Sequence, residues 1–303
     1  MKNLKSFIPT IKEIVLEILN MIRRRIRIMH SRVIVRTKKI VPPDAEMHGV
    51  HHREDLIPGC VPERREKVHI LQFGAGGIGS AVVLGLARKG YGKVSIFDAD
   101  DIGLSNLNRQ LFFESDIGKP KGKQLALNLA AHATGNTEFV GYDLMFQDAV
   151  DLGVDILGDV VVCGVDCTRT VTQVAEFYLP LGIPVVFINI GRKAEAGLVF
   201  VQEGREGKAC RGCGPHYYPV PRKQECFAAA SFDVNMVTCG YALYAIESLI
   251  MDRPRTWNYR ITYMAGGGED VWVERRPDCP ICGEVARRKI VPFPHHSPLK
   301  KLA

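Results

Sequence analysis

Three hydrophobic patterns succeed one another along this chain. Near its start, SFIPTIKEIVLEILNMIRRRIRIM places Ile11, Ile14, Val15, Ile18, Ile22, Ile26 and Met29 at helical spacing, while Lys12, Glu13 and Glu17 interrupt any continuous apolar span. This predicts an amphipathic helix with an Arg-rich end, neither a signal peptide nor a transmembrane segment. VPPDAEMHG then reads as a linker. The second pattern is a short apolar run, Val68 to Phe73, read as a buried strand, followed by the turn FGAGGIGS and by Ala81 to Arg88, which carries helix formers at helical period. Apolar runs recur in KVSIFDAD and DVVVCGVD, and helices are predicted over Lys121 to Ala133, in CTRTVTQVAEFYL and over Asn235 to Ile250. The third pattern comes late, where YRITYM and DVWVERR read as further strands. No internal repeat or low-complexity tract is present.

Composition bounds what these elements build. At 303 residues and 46% apolar content the chain is globular, with room for one large α/β domain or two small ones. Its net charge of +7 is uneven: residues 1–40 hold eleven Lys and Arg against Glu13 and Glu17, a net of +9, which leaves −2 for the rest. The basicity belongs to the N-terminal segment, which could rest on an anionic membrane, pack on a partner or mediate oligomerisation. No basic patch with interleaved aromatics marks the body, so nucleic acid is not an expected partner. Nine cysteines without a secretory leader favour a reducing, cytoplasmic setting and metal or thiol chemistry over disulfides.

The glycine turn is a phosphate-binding device. Gly74, Gly76 and Gly79 let the chain turn tightly and bring backbone N–H groups against phosphate oxygens, at the partly positive start of the next helix. Asp98 ends the following apolar run at an offset suited to gripping ribose hydroxyls. To this point a dinucleotide and ATP fit equally well. The residues beyond Asp98 separate them: Asn106, Arg109 and Gln110 fall within five residues, Lys121 stands near the start of a helix, and Asp166 ends another apolar run. A site that polarises a triphosphate needs such cations and amide donors, whereas a dehydrogenase does not. Arg109 could instead pair with Glu114 or Asp116, Asp166 could cap the helix after it, and Asp100 could assist a metal or cap its own turn.

Taken jointly, GAGGIG, DAD, SNLNRQ, GKPK and CGVD resemble, in order and spacing, the ThiF-like and ubiquitin-activating adenylyltransferases, which activate the C-terminal glycine of ubiquitin-like proteins. The resemblance covers about residues 50–285. It implies a Rossmann-like α/β adenylation domain with a mostly parallel sheet over residues 46–303, after a basic extension and linker at 1–45, and a zinc-stapled C-terminal part with further strands. It implies that Gly74, Gly76, Gly77 and Gly79 approach the phosphates of ATP and that Asp98 holds the ribose. It implies too that Asn106, Arg109, Gln110 and Lys121 contact the triphosphate and that Asp166 attends to Mg²⁺. The partner it implies is a ubiquitin-like or sulfur-carrier protein ending in Gly-Gly, and the quaternary state a homodimer.

Two CxxC pairs, Cys210/Cys213 and Cys279/Cys282, have the spacing of a closed tetrahedral thiolate site, the mark of structural zinc. Between them, Cys226 sits on a Pro- and aromatic-rich loop approaching a helix, where Arg222 or Lys223 could activate a thiolate. In the resembling enzymes this is the crossover loop, here about 214–232, and Cys226 is its candidate acyl acceptor. Two departures stand out. HHREDLIPGC replaces the family's Arg-Tyr-x-Arg-Gln stretch, leaving Arg53 as the candidate for the arginine that reaches a neighbouring subunit's phosphates, and Cys167 stands where the family has Asn. Rival readings are an enzyme activating a small carboxylate, a peptide or a tRNA nucleoside, an NAD-dependent oxidoreductase, and an inactive binding scaffold.

Overall fold

The computed structural model describes residues 11–44, 48–215, 229–251 and 253–283. Among the described residues nine strands form one sheet: β1 (Arg32–Arg36), β2 (His69–Phe73), β3 (Lys93–Phe97), β4 (Glu138–Tyr142), β5 (Val160–Cys163), β6 (Val185–Ile190), β7 (Ala196–Gln202), β8 (Tyr259–Tyr263) and β9 (Gly268–Val271), in the order β1-β4-β3-β2-β5-β6-β7-β8-β9. The five strands from β4 to β6 in this order are parallel, and β1 at one edge and β7 to β9 at the other run antiparallel. β5 is a continuous apolar run and β6 nearly so, as parallel strands covered by helices should be, while β2 and β3 admit the buried polar Gln72 and Ser95.

The helices are α1 (Ile11–Ser31), α2 (Pro62–Arg65), α3 (Gly77–Lys89), α4 (Lys121–Ala130), α5 (Phe146–Leu152), α6 (Thr168–Tyr178) and α7 (Phe232–Ile250). Ile70, Val94, Ile96, Val162, Val186 and Val199 pack one sheet face against α3, α4 and α7. Leu71, Phe73, Phe97, Val161, Val185 and Phe187 pack the other against α5, α6 and the four knuckle cysteines. Strand order reverses beside β2, whose neighbours are β3 and β5, so a crevice opens at the carboxyl ends of these strands, where open α/β sheets bind ligands.

Local chemistry explains where the elements depart from the periodic reading. Helix α3 starts four residues before Ala81, because Gly76 supplies its extended N-cap, and it stops at Gly90, whose φ of +73° closes the last turn onto Ala87 and Leu86 carbonyls. Strand β9 ends at Val271 rather than running through DVWVERR. Beyond it the side chain of Asn258 takes over, with Oδ1 accepting from the Val273 N–H at 2.6 Å and Nδ2 donating to the Val273 carbonyl at 2.8 Å. RVIVR, inside the segment read as extension and linker, is an edge strand paired along the whole of β4.

A buried ion network fastens the segment before β2 to the helical layer. Arg65, fully buried, donates to Glu54 at 2.8 Å and pairs with Glu247 of α7 at 2.5 Å, while Lys89 bridges the same two carboxylates at 2.8 and 2.9 Å. Arg253 also pairs with Glu247. Burial opposes ionisation of Glu54, but Arg65 and Lys89 hold its carboxyl down at about 2.

Candidate active site

The glycine turn sits at the strand-order switch. Gly74 adopts φ +93°, and a Cβ there would lie 2.8 Å from the Gly164 carbonyl at the end of β5. Glycine is therefore required for both the conformation and the close approach. The next residues open α3, which has neither a side-chain N-cap nor an acidic residue in its first turn. A thirteen-residue helix thus presents free N–H groups and the positive end of its dipole to the crevice, a cradle that fits an anion.

Asp98, at the end of β3, ties this turn to the next. Its Oδ2 accepts from the Ala75 N–H at 2.6 Å and its Oδ1 from the Asp100 N–H at 2.9 Å. Burial pushes its carboxyl up from the ordinary range, against those two hydrogen bonds and the nearby Lys121. Lys121, itself largely buried, stands at the start of α4 with its Nζ 3.0 Å from Asp100 Oδ2. The acidic turn, the glycine turn and a buried cation are thereby locked together.

In the connection from β3 to α4, Asn106 Oδ1 accepts from the Gly103 N–H at 2.9 Å and closes a 3₁₀ turn over Leu104–Asn106. Gln110 is buried, with no partner for its Oε1 among the described residues. Arg109 is neither buried nor paired with Glu114 or Asp116: its Nη1 donates to the Ser105 carbonyl at 2.7 Å and to Asn108 Oδ1 at 2.9 Å, and Asp116 is instead held by Lys119 and Asn128. Asp166 lies exposed just beyond β5, and the N-cap position of α6 belongs to Cys167, not to Asp166. Partial burial would raise the Cys167 thiol, but the N–H groups of Thr170 and Arg169 and the Thr170 hydroxyl draw it below its usual value. By contrast, burial pushes Cys163 and Cys239 up to about 12, leaving them as inert core thiols.

Two buried amides lie behind the turn. Gln72 on β2 donates through Nε2 to the carbonyls of Phe73 and Gly74 at 3.1 and 3.0 Å, with no partner for Oε1 among the described residues. Asn235, in the first turn of α7, finds no partner for either side-chain polar atom among the described residues and lies against Gly77, where a Cβ would come within 2.3 Å of its Nδ2. Neither stands out in the sequence: each occupies an ordinary position of a strand or helix, and only packing places it behind the glycines.

Arg53 is not gathered into this chain's own crevice. It is exposed in a turn held through Glu54 to Lys89, at the far end of α3, about 20 Å along the helix from the glycine turn. Cys226 and most of the crossover loop lie outside the described residues. The four knuckle cysteines do converge. Cys210, Cys213, Cys279 and Cys282 are all buried with their sulfurs within 4.8 Å of one another, including Cys210–Cys279 at 3.5 Å and Cys213–Cys282 at 3.4 Å. A tetrahedral Zn²⁺ with bonds of about 2.3 Å needs sulfurs about 3.8 Å apart, so the cluster fits that ion.

Residues 58–281 match the model of the ThiF family. This chain belongs to the ThiF family. Among curated relatives, the Sulfur carrier protein adenylyltransferase of Thermus thermophilus is 27% identical over 256 residues, covering 80% of this chain and 94% of that protein. The Adenylyltransferase and sulfurtransferase MOCS3-1 of Zea mays is 27% identical over 264 residues, covering 79% of this chain and 53% of that protein. The chain thus spans nearly all of the first relative and about half of the second. The fold matches that of E. coli MccB crystallised with ATP, at a TM-score of 0.65 and 19% identity, covering 80% of this chain and 77% of that one. The ThiF-family chain is an enzyme of the adenylyltransferase class, as these curated relatives are.

Proposed function

We propose that this ThiF-family enzyme uses ATP to adenylate the C-terminal glycine of a ubiquitin-like or sulfur-carrier protein. The observation that carries the reading is the junction at the switch point, where Asp98 joins the glycine turn to the Asp100 turn and Asp100 in turn holds Lys121. In this reading the first turn of α3, with Gly74, Gly76, Gly77 and Gly79, receives phosphate oxygens, and Asp98 faces the ribose. Arg109, Lys121, Asn106 and Gln110 gather around the triphosphate. A carboxylate oxygen of the carrier attacks the α-phosphorus, and the bond to pyrophosphate breaks. Charge grows on the phosphoryl oxygens and the leaving group, so fixed cations count for more in the transition state than in the ground state. In this reading Asp166, a hard exposed oxygen donor, holds Mg²⁺ with help from Asp100, and the ion when bound would supply charge neutralisation for the departing pyrophosphate.

Thioester formation belongs to the same proposal: the Cys226 thiolate attacks the activated acyl carbon and AMP leaves. The knuckles hold Zn²⁺ as a structural staple, with no position open to substrate. A homodimer supplies Arg53 of each copy to the other's phosphates, since within one chain it sits at the wrong end of α3. A cytoplasmic location suits the free thiols.

The test is ATP–pyrophosphate exchange with a candidate carrier and with the same carrier lacking its final two glycines. Exchange that requires the intact C-terminus and falls by roughly 10² to 10³ in Arg109→Ala supports the reading. Exchange driven by a small carboxylate or a free peptide alone supports the rival within the superfamily, and nicotinamide cofactor retained on purification overturns the proposal. A Cys226→Ser variant that keeps exchange but loses a thiol-sensitive carrier adduct identifies the acceptor.

A further inference from the structure

Helix α1 is the one amphipathic element whose apolar face the described fold leaves uncovered. Val15, Ile18, Leu19, Met21, Ile22, Ile26 and Met29 are each between 45% and 66% exposed. The body grips the helix elsewhere: Ile28 packs on the core, Arg27 reaches Asp148 at 3.7 Å, and Lys123 of α4 donates to the His30 carbonyl at 3.2 Å. At 3.6 residues per turn, Ile18, Ile22, Ile26 and Met29 form one stripe, while Ile28 and Arg27 point well away from it. Among the described residues only the last turn of α1 touches the body, and residues 15–27 are exposed on every side, so the apolar stripe is open along the helix.

Charge selects its occupant. Arg23 and Arg24 flank the stripe on opposite sides, and Arg25 falls within its margin, between the directions of Ile18 and Met21. A second α1 packed there offers only Glu13 and Glu17 against Lys12, Arg23, Arg24, Arg25 and Arg27 of each helix, so most of the positive charge would meet like charge rather than a carboxylate. A phosphate headgroup layer accepts it, because the alkyl stem lies along apolar surface while the charge stays at the interface. The +9 of residues 1–40 against the −2 of the remainder concentrates attraction on this end of the molecule. No helix among the described residues is long and apolar enough to cross a membrane, so the contact is peripheral.

The fold aims this contact. Strand β1 begins opposite Tyr142, so α1 leaves the sheet at the carboxyl edge, the edge that carries the glycine turn and Asp98. We infer that α1 docks the protein on anionic membrane surface through its exposed apolar stripe and Arg cluster, holding the nucleotide edge of the sheet near the lipid.

Flotation of the full-length protein with phosphatidylcholine vesicles, with and without phosphatidylserine, tests this. Binding is expected only to the anionic vesicles and is lost in Ile18→Glu/Ile22→Glu. Replacing Arg23, Arg24 and Arg25 together by Gln weakens it on the order of a hundredfold. Both variants retain the wild-type melting temperature and response to Mg-ATP, because α1 contributes nothing to the crevice. Absence of binding to anionic vesicles overturns the inference, and does so whether or not ATP is bound. If Ile18→Glu/Ile22→Glu instead dissociates an oligomer, seen by light scattering, without vesicle binding by the wild type, a second copy covers the face and the inference is wrong.

Discussion

Asn235 brings a carboxamide to the back of the glycine turn and finds no partner there for either polar atom among the described residues. Such a group costs about 1 to 3 kcal/mol when buried, so an apolar replacement of similar volume relieves it. Asn235→Leu is expected to melt higher than the wild type by an amount equivalent to about 1 kcal/mol, yet to gain less stability on adding Mg-ATP, because the side chain backs Gly77 at the start of the proposed phosphate cradle. Paired thermal melts with and without nucleotide read both effects. A lower melting point would show that the amide is satisfied in solution. Residues of this kind mark the limit of what the sequence discloses. Asp98, Asp100 and Lys121 stand in compact words whose neighbours in sequence are neighbours in space. Asn235 lies about 160 positions from Gly77 in an unexceptional helical pattern, and nothing local announces their contact.

Elements are legible where one period dominates and obscure where tertiary contact sets the boundary. The glycine turn is plain in the sequence because its backbone conformation dictates residue type. Gly74→Ala therefore tests the element rather than a side chain: φ +93° is strained for alanine, and its Cβ meets the backbone carbonyl of Gly164, which has no rotamer in which to yield. A destabilisation of about 1 to 3 kcal/mol is expected, with loss of the Mg-ATP shift in a melt. By contrast, β1 is hidden in a basic segment, since RVIVR acquires strand identity only by pairing with β4. The knuckles show the opposite case. Their spacing announces a metal site outright, and the fold brings two segments about 70 positions apart into one buried sulfur cluster. On the proposed zinc staple, the wild type should carry one ion per chain by elemental analysis, and Cys279→Ser should lose it and melt lower, while the same variant with chelator added should melt no lower.

At the scale of the molecule, two buried polar arrangements decide how the fold responds to change. The Arg65, Glu54, Lys89 and Glu247 network clamps the segment before β2 onto α3 and α7. Removing one partner strands the others, so Glu247→Ala should lose about 3 to 5 kcal/mol in denaturant unfolding. The second arrangement sets acid sensitivity. Burial, reinforced by Lys93, depresses the His69 imidazole from 6.5 to about 4. Above pH 6.5 the ring is neutral in the folded and unfolded chain alike, and stability does not depend on it. As pH falls from 6.5 towards 4 the unfolded chain takes up a proton that the folded chain refuses, and stability drops by up to about 1.4 kcal/mol per unit. Below 4 both states are charged and the loss stops growing. Glu54, held at about 2 in the fold against 4.5, adds a second loss in the same direction between those values. His69→Gln keeps a hydrogen-bonding group near Ser95 but removes the titration. Its melting temperature should therefore stay nearly level from about pH 6.5 to 5, where the wild type declines, and both proteins should fall together only below about 4. Parallel curves across the whole range would mean that the ring is solvated in the folded protein and that the acid response originates in the carboxylate network alone.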